Sequence, residues 1–311
     1  MTGRIDDALT AAGLPATERR DVPSSTLRFP DGVAFRIEIP STEGPEPLEA
    51  VLEEAQQLDV PVRRVSQGSG VGMLTDAELD RMARIAADAG VEVSLFARPG
   101  AGWGPSASAR AQAGGSLAAA AWGHDQLRAC VDEIMRAADH GFRSVLIADV
   151  GVLSVFGQLK ASGHLPPNMQ AKVSVMLPAA NAAAARVLED LGAGTLNVPG
   201  DLDIAQLATI RSAVSIPLDV YVESPDDLAG TVRLHEVPEL IRVAAPIHVK
   251  LGLRNAPPLY PSGVHLAGVA IATGRERVRR ARLVMEILER KGVDLTTSAP
   301  GAPGLAVPVV G

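Results

Sequence analysis

The sequence contains very little cysteine. Cys130 is the only cysteine among the 311 residues, so an intramolecular disulfide is excluded. An iron–sulfur cluster or a zinc site built from several thiolates of this chain is excluded for the same reason. The sequence also lacks an apolar run of about 18 residues, the length that a transmembrane helix requires. Its first residues, MTGRIDDALTAAG, lack the apolar core of a signal peptide. These absences predict a cytoplasmic protein with no membrane partner.

Positive charge is also scarce. The chain has 29 basic and 36 acidic residues, a net charge of −7 and a pI of about 5.4, with no basic block. Such a charge distribution is unsuited to nucleic acid or to an anionic membrane. We therefore expect a small-molecule partner, while assembly into a homo-oligomer is left open.

Lysine is rarer still, since only four of the 29 basic residues are lysines, at positions 160, 172, 250 and 291. A chain with this arginine bias can use arginine wherever a surface positive charge is needed. A lysine inside a strand therefore indicates a need for a small amine. Lys172 and Lys250 are in predicted strands.

Short strand-like runs alternate with amphipathic helices along most of the chain, which is typical of a parallel sheet. The predicted strands are Ala34–Ile39, Val62–Gln67, Glu92–Arg98, Ser144–Asp149, Ala171–Met176, Thr195–Val198, Leu218–Glu223 and Ile247–Leu251. Eight such units without a glycine-rich dinucleotide fingerprint favour a closed barrel over an open doubly wound sheet, and no nucleotide cofactor is expected. We predict a single (β/α)8 TIM barrel at residues 31–294, an N-terminal helix and linker at 1–30, and an irregular C-terminal tail at 295–311.

Alternation along each strand points its polar residues into the barrel, because the helices cover the opposite, apolar side. Sorted by position along the strands, these residues form two layers. The predicted rim layer, where barrel enzymes carry out their chemistry, contains Glu38, Arg98, Asp149, Asn197, Glu223 and Lys250. The predicted deep layer contains Glu92, Lys172 and Asp219, and we expect it to be a structural network of ion pairs.

The rim layer supplies the candidate catalytic residues, which are Glu38, Asp149, Glu223 and Lys250. Three of them, Glu38, Asp149 and Glu223, are oxygen ligands of the kind that Mg²⁺ or Mn²⁺ prefers. Alternatively, Arg98 and Lys250 neutralise the same carboxylates without an ion. For Lys250 we leave three roles open: a Schiff-base nucleophile, an electrophile for an enolate, or the partner of Glu223.

Substrate binding is assigned to further polar residues at the strand ends and in the following loops. They are Gln67, Arg98, Asn197, Tyr221 and Arg254. If Arg98 and Arg254 converge, they suit a carboxylate or phosphate group on the substrate. The glycine-rich segment after Arg98, at 100–104, is predicted to be a mobile lid.

One part of the chain, from about Gly141 to Ala245, is similar to peptidase family U32. The similarity consists of the strand Phe142–Asp149, the segment Ala171–Ser174 before a helix that begins at an asparagine, the motif Asp190-Leu191-Gly192-Ala193, and the strand Pro217–Glu223. It implies a barrel fold and, for some members, peptidase activity. Members typically have His-Gly after the seventh strand, followed by cysteines. Here the sequence is Glu223-Ser224-Pro225, which implies a divergent relative without an iron–sulfur cluster.

Three functions remain as hypotheses. The first is a lyase or isomerase of a small anionic oxygenated substrate, in which a rim carboxylate moves a proton and Lys250, Arg98 or a divalent metal stabilises an enolate. The second is a hydrolase of peptide or amide bonds, although the sequence shows neither a Ser-His pairing nor an HExxH motif. The third is a non-catalytic barrel that serves as a subunit.

Overall fold

A computed structural model describes residues 22–100 and 120–311, together with Arg4, Asp7 and Ala11. Most of the predicted N-terminal helix, and the predicted lid from residue 101 onward, lie outside the described residues. The remainder covers all the predicted strands and the C-terminal tail.

Eight parallel strands close into one barrel in chain order, and β8 pairs with β1. They are β1 (Phe35–Pro40), β2 (Val62–Ser66), β3 (Glu92–Phe96), β4 (Ser144–Ile147), β5 (Gln170–Val173), β6 (Ala193–Asn197), β7 (Leu218–Glu223) and β8 (Ile247–Leu251). In the described part of the chain, one α-helix follows each strand. These helices are α1 (Pro45–Gln57), α2 (Asp76–Ala89), α3 (Gly123–Asp139), α4 (Val150–Ala161), α5 (Ala182–Asp190), α6 (Ile204–Ala213), α7 (Val237–Ala244) and α8 (Ala267–Arg290). The predicted (β/α)8 fold is confirmed.

The strand β1 shows why the sequence adopts this fold. Phe35, Ile37 and Ile39 alternate along it and are fully buried in the main hydrophobic core, which lies between the barrel and its helices. Arg36 and Glu38 therefore point to the interior of the barrel. The other strands alternate in the same way, which places a polar interior inside an apolar shell.

Several strands end earlier than the sequence predicts. The strand β3 stops at Phe96 rather than Arg98, β4 at Ile147 rather than Asp149, and β5 at Val173 rather than Met176. In β4 the cause is local, because the carboxylate of Asp149 accepts a hydrogen bond from Val152 N and caps helix α4. The residues beyond these ends belong to the loops at the barrel mouth.

The tail after residue 295 crosses the opposite end of the barrel, where the strands begin. Arg36 donates from Nε to Ser298 Oγ at 2.6 Å and from Nη2 to the carbonyl of Pro303 at 2.8 Å. The amide of Ala306 donates to Glu92 Oε2 at 3.2 Å. The ring of Phe29, from the segment before β1, lies 4.1 Å from the Arg36 guanidinium. Together these contacts cover the floor of the barrel.

No helix in the described ranges is both long and apolar enough to cross a lipid bilayer.

Candidate functional site

The barrel interior holds charges of both signs. Its basic residues are Arg36, Arg64, Lys172 and Lys250, and its carboxylates are Glu38, Glu92 and Asp219; all seven are at most 2% exposed. Buried charges of this kind are tolerated only when each has a partner. Each of the three carboxylates lies within 4 Å of the Arg64 guanidinium.

Arg64, on β2, is the centre of this network. Its Nε donates to Glu38 Oε2 at 2.9 Å, and its Nη2 donates to both Glu38 Oε2 and Asp219 Oδ1. Its Nη1 lies 3.8 Å from Glu92 Oε1. One guanidinium therefore links carboxylates from three other strands, a geometry that the five donors of arginine allow and a lysine amine does not.

Glu38 has further cationic neighbours. Lys172 Nζ donates to Glu38 Oε1, which also accepts from Ser66 Oγ at 3.0 Å. Burial alone would raise the pKa of Glu38, but the surrounding cations outweigh burial and hold it well below its ordinary value. Burial, together with the nearby cations Arg64 and Lys250, lowers the pKa of Lys172 to about 7. Glu38 is therefore a fixed anion, whereas the Lys172 amine titrates near neutral pH.

His248 occupies the lower interior beside Asp219. Its Nδ1 lies 2.9 Å from Asp219 Oδ1, close enough for an ion pair, but the direction of approach is not that of a hydrogen bond. Burial, aided by the Arg64 guanidinium, lowers the pKa of His248 to about 4. The imidazole is therefore neutral at physiological pH.

Lys250, on β8, connects this network with the barrel mouth. Its Nζ lies 3.4 Å from Glu38 Oε1 and 4.4 Å from the centre of the Tyr221 ring. Asn197 accepts a hydrogen bond from this Nζ at 2.8 Å when its amide is oriented to donate to the carbonyl of Asp219 at 3.3 Å. The amine is thereby fixed from three sides, and the same residue lines a cavity above it.

That cavity lies at the carboxyl ends of the strands and has a volume of about 70 Å³ accessible to water-sized molecules. Its charged lining residues are the cations Lys250 and Arg98, and neither a carboxylate nor a histidine is among the described residues that line it. Its polar lining is completed by Ser41, Ser66, Gln67, Ser174, Asn197, Tyr221 and Tyr260, and its apolar lining is mainly Phe96, Leu146 and Met176. This volume is well below the roughly 300–1,000 Å³ of sites for drug-sized ligands, so the cavity suits only a ligand of a few heavy atoms.

Two of the predicted binding residues are restrained by the loop after β2. Arg98 Nη1 donates to the carbonyl of Gly68 at 2.9 Å, and its guanidinium lies 5.8 Å from the centre of the Tyr260 ring. The amide of Gln67 donates to and accepts from the backbone of Gly70. Gln67 therefore shapes the loop, and both Gln67 and Arg98 line the cavity.

The prediction that Glu38 is a rim residue is wrong. Glu38 is fully buried beneath the cavity and shares Arg64 with Asp219, which the sequence assigned to the deep layer. The two predicted layers are therefore one network. The strands of a barrel are tilted and staggered, so the position of a residue along its strand gives its depth in the barrel only approximately. The long Arg64 side chain spans the remaining difference in depth between Glu38 and Asp219.

Asp149 and Glu223 also lie away from the predicted positions. Asp149 caps α4 and accepts from Ala121 N at 3.0 Å. Glu223 accepts from Arg254 N at 3.0 Å and lies 3.3 Å from Arg280 Nε on α8. The pairing of β7 with β8 is irregular between Tyr221 and Glu223, which breaks the alternation and turns Glu223 away from the interior. Lys250 therefore has Glu38 as its acidic partner, and the predicted pair with Glu223 is wrong.

The structure does not bring the three predicted metal ligands together. Glu38, Asp149 and Glu223 have separate partners, and no group of three His, Cys, Asp or Glu residues suited to a metal ion occurs in the described part of the chain.

Arg254 does not converge with Arg98. Its side chain is about half exposed, and its Nε lies 3.2 Å from Asp226 Oδ1. The backbone amide of Asn255 donates to the other oxygen of Asp226 at 2.6 Å. Arg254 therefore braces the loop after β8, and Arg98 is the arginine that faces the cavity.

Sequence reasoning missed part of the cavity wall. Ser41 lies after β1, and its hydroxyl is 2.5 Å from the hydroxyl of Tyr260 in the loop after β8. The only available signal was that Tyr260 is one of just two tyrosines in the chain, the other being Tyr221. Both tyrosines line this cavity.

The family model of peptidase family U32 matches residues 117–224. The match covers about a third of the chain, so it is this segment that is similar to peptidase family U32. The matched segment runs from before α3 to the loop after β7 and contains most of the region, about Gly141 to Ala245, that resembled this family in the sequence. Cys130 is the only cysteine of the chain, so the chain cannot itself supply the several thiolate ligands of an iron–sulfur cluster.

Solved structures share the barrel fold. The U32 peptidase Mk0906 is 16% identical, with a TM-score of 0.42, and the alignment covers 78% of this chain and 98% of that one. A truncated 3-deoxy-D-arabino-heptulosonate 7-phosphate synthase from Thermotoga maritima is 15% identical, with a TM-score of 0.45 and coverage of 88% and 95%. These similarities concern the fold alone. No curated protein matches the chain.

Proposed function

We propose that this chain is a cytoplasmic TIM-barrel enzyme that binds a small anionic oxygenated substrate in the mouth cavity and carries out lyase- or isomerase-type chemistry through an enolate. The observation that carries the proposal is the charge of the cavity, because Lys250 and Arg98 line it without a carboxylate among the described lining residues. The acid beneath, Glu38, is already paired with Arg64 through two hydrogen bonds. The cavity therefore favours an anion.

The position of Lys250 supports the enolate chemistry. When a proton leaves the carbon next to a carbonyl group, negative charge develops on the carbonyl oxygen. A fixed ammonium group in a site shielded from water stabilises that charge without reorganising. The contacts to Glu38 and Asn197 hold the Lys250 amine in place for this role.

Tyr221 is our candidate for the general acid that protonates the enolate, while the proton that leaves the carbon passes to solvent at the open mouth of the cavity. The sequence assigned proton transfer to a rim carboxylate, but Asp149 and Glu223 are engaged elsewhere. The Tyr221 hydroxyl borders the cavity and has no hydrogen-bond partner among the described residues. Burial raises the pKa of this phenol above its ordinary value, so in the resting site it is a proton donor.

Hydrolysis of an amide bond is the second candidate, on the U32 match alone. A serine nucleophile needs an adjacent base. Ser66 donates to Glu38, Ser41 pairs with Tyr260, and the Ser174 hydroxyl accepts from the Met176 amide. The described residues place no histidine beside these hydroxyls. The cavity therefore favours the enolate chemistry over hydrolysis.

Calorimetric titration tests the binding part of the proposal. Pyruvate and lactate should bind to the wild-type protein, and neutral pyruvamide should bind much more weakly. Replacing Arg98 or Lys250 with methionine should weaken anion binding by about 1–3 kcal/mol, the contribution of a charged hydrogen bond. The matched control is Arg254→Met, which should bind as the wild type does. Equal affinity for pyruvate and pyruvamide would contradict the proposal.

Proton exchange in D₂O tests the chemistry. Enolate formation should introduce deuterium at the methyl carbon of bound pyruvate, which NMR detects. Binding without exchange would instead indicate a non-catalytic barrel, whereas release of amino groups from amide substrates would favour the hydrolase.

A further inference from the structure

We propose that the amine of Lys250 forms a Schiff base with the carbonyl carbon of a 2-oxo acid bound in the mouth cavity. This inference rests on the proposed function, because it uses the same cavity and the same anionic ligand. It adds a covalent step and names the class of substrate, a carboxylate with an adjacent carbonyl group.

The position of the amine meets the geometric requirement for such a step. Lys250 lies on β8, a rigid strand, and Glu38, Asn197 and the Tyr221 ring fix its Nζ. The residue lines the cavity, so a bound carbonyl group can reach the amine. Arg98, across the same cavity, suits the carboxylate of a 2-oxo acid.

The reacting lysine must first lose a proton, and the structure contains a route for it. Glu38 Oε1 contacts Lys172 and lies 3.4 Å from Lys250 Nζ, so one carboxylate oxygen lies between two amines. Because the pKa of Lys172 is about 7, a substantial part of this amine is neutral at physiological pH. Lys172 can therefore take up the proton that Lys250 releases, while Glu38 stays ionised between the two amines.

The step is balanced in atoms and charge. The neutral nitrogen of Lys250 attacks the carbonyl carbon, a C–N bond forms, and the carbonyl oxygen becomes a hydroxyl group. The C–O bond then breaks, and the oxygen leaves as water with a proton returned from Lys172. Overall, one ammonium and one carbonyl give one iminium and one water.

The electrostatics of the site are compatible with the product. The iminium carries the same single positive charge as the ammonium that it replaces. Glu38 and the electron-rich face of Tyr221 stabilise both ions. The iminium then accepts the electron pair released when a proton or a carbon group leaves the neighbouring carbon, which is the electronic demand of a lyase.

The types of basic residue found in the barrel interior are consistent with an amine that acts as a nucleophile. The position that bridges three carboxylates is an arginine, Arg64. The two positions that border Glu38 Oε1 are lysines, Lys172 and Lys250, although only four of the 29 basic residues are lysines. An arginine at either of these positions would keep the charge and lose the nucleophilic amine.

Reductive trapping tests the Schiff base directly. The full-length protein is incubated with pyruvate, treated with sodium borohydride, and measured by intact-mass spectrometry and peptide mapping. The expected result is one reduced pyruvyl group per chain, located on Lys250. Lactate, which has the carboxylate without the carbonyl, should give no label. The surface lysines Lys160 and Lys291 are internal controls, and equal labelling of these residues and Lys250 would overturn the proposal.

The variant Lys250→Arg separates this proposal from the one on which it rests. Arginine keeps the positive charge, so calorimetry should still detect pyruvate binding, while borohydride labelling is lost. If the wild-type protein binds pyruvate and no label forms, the Schiff base is wrong and anion binding stands. If neither the wild type nor the variant binds pyruvate or lactate, the proposed function itself fails. Mapping the label on the wild-type chain decides the question even if the variant does not fold.

Discussion

The ammonium group of Lys250 lies 4.4 Å from the centre of the Tyr221 ring, and the two residues are direct register partners on β8 and β7. The ring stabilises the cation through its face, while the hydroxyl at its edge borders the cavity. One side chain therefore combines two separable properties, a charge contact and a proton-carrying group.

We expect Tyr221→Phe to separate these properties. Phenylalanine keeps the aromatic face beside Lys250 but removes the hydroxyl, so affinity for pyruvate should be unchanged. Proton exchange at the pyruvate methyl carbon should fall by roughly 10²–10⁴-fold, the usual contribution of a general acid or base. Exchange at the wild-type rate would show that another group moves the proton.

Arg64→Leu should destabilise the protein strongly. It would leave Glu38 and Asp219 without their shared partner in the interior, and breaking such a buried pair costs about 3–5 kcal/mol. Urea unfolding measures the loss. The control is Arg81→Leu on the surface, where the ion pairs with Glu46 and Glu49 are solvent-exposed and the expected cost is at most about 1 kcal/mol. Similar losses in the two variants would contradict the central role of Arg64.

Arg254→Lys should leave the affinity for small carboxylates unchanged, because this side chain faces Asp226 at the surface rather than the cavity. Stability should change by less than about 1 kcal/mol, as for other exposed ion pairs. Arg98→Lys is the paired variant, and it should weaken the same ligands because lysine cannot reproduce a two-point arginine contact. A larger loss of affinity in Arg254→Lys than in Arg98→Lys would reverse these assignments.

The free energy of unfolding should depend on pH through His248. The unfolded chain takes up a proton on this residue near its ordinary pKa of 6.5, whereas in the folded protein the pKa is about 4. Between these values the unfolded state binds more protons, so stability is lost as the pH falls from about 6.5 to about 4. The loss from this residue is on the order of 2–3 kcal/mol. In His248→Gln the decline in this window should be smaller, and parallel pH curves would contradict the assignment.

Gly68→Ala should disturb the cavity wall. A Cβ atom at this position would lie 2.5 Å from Cε1 of Tyr260, whose rigid ring would have to move. We expect a loss of about 1–3 kcal/mol in stability, typical of overpacking, and weaker pyruvate binding. The control is Gly268→Ala in α8, where the added Cβ would meet no atom within 4 Å. That exchange should stabilise the helix by roughly 0.5–1 kcal/mol, and an equal effect of both exchanges on affinity would contradict the prediction.

The barrel was predictable from the sequence because its signal repeats in each unit. In β1, apolar residues alternate with the charged residues Arg36 and Glu38. This alternation identifies the face of the strand that packs against the helices, and the other strands have the same alternation. Lys250 was placed correctly inside the barrel by this rule. This alternation predicts side-chain direction only where the strand pairs regularly with its neighbours.

The partners of the inward residues were not predictable in the same way. Glu223 left the interior because one irregularity between β7 and β8 changed its direction. Lys250 pairs with Glu38 because of the stagger of the barrel strands and the length of the Arg64 side chain. Neither can be inferred from the sequence of a single strand. Arg254 contacts Asp226. The two residues lie in different loops, and loop conformations lack the periodicity from which contacts can be predicted.

The contacts on the floor of the barrel have a consequence for the order in which the protein is made. The segment that satisfies Arg36 and Glu92, from Ser298 to Ala306, follows all eight strands in the chain. While the ribosome is still synthesising α8, these two interior charges have yet to meet their last partners. The nascent barrel therefore passes through a stage with an open floor, and its completion waits until residue 306 has left the exit tunnel.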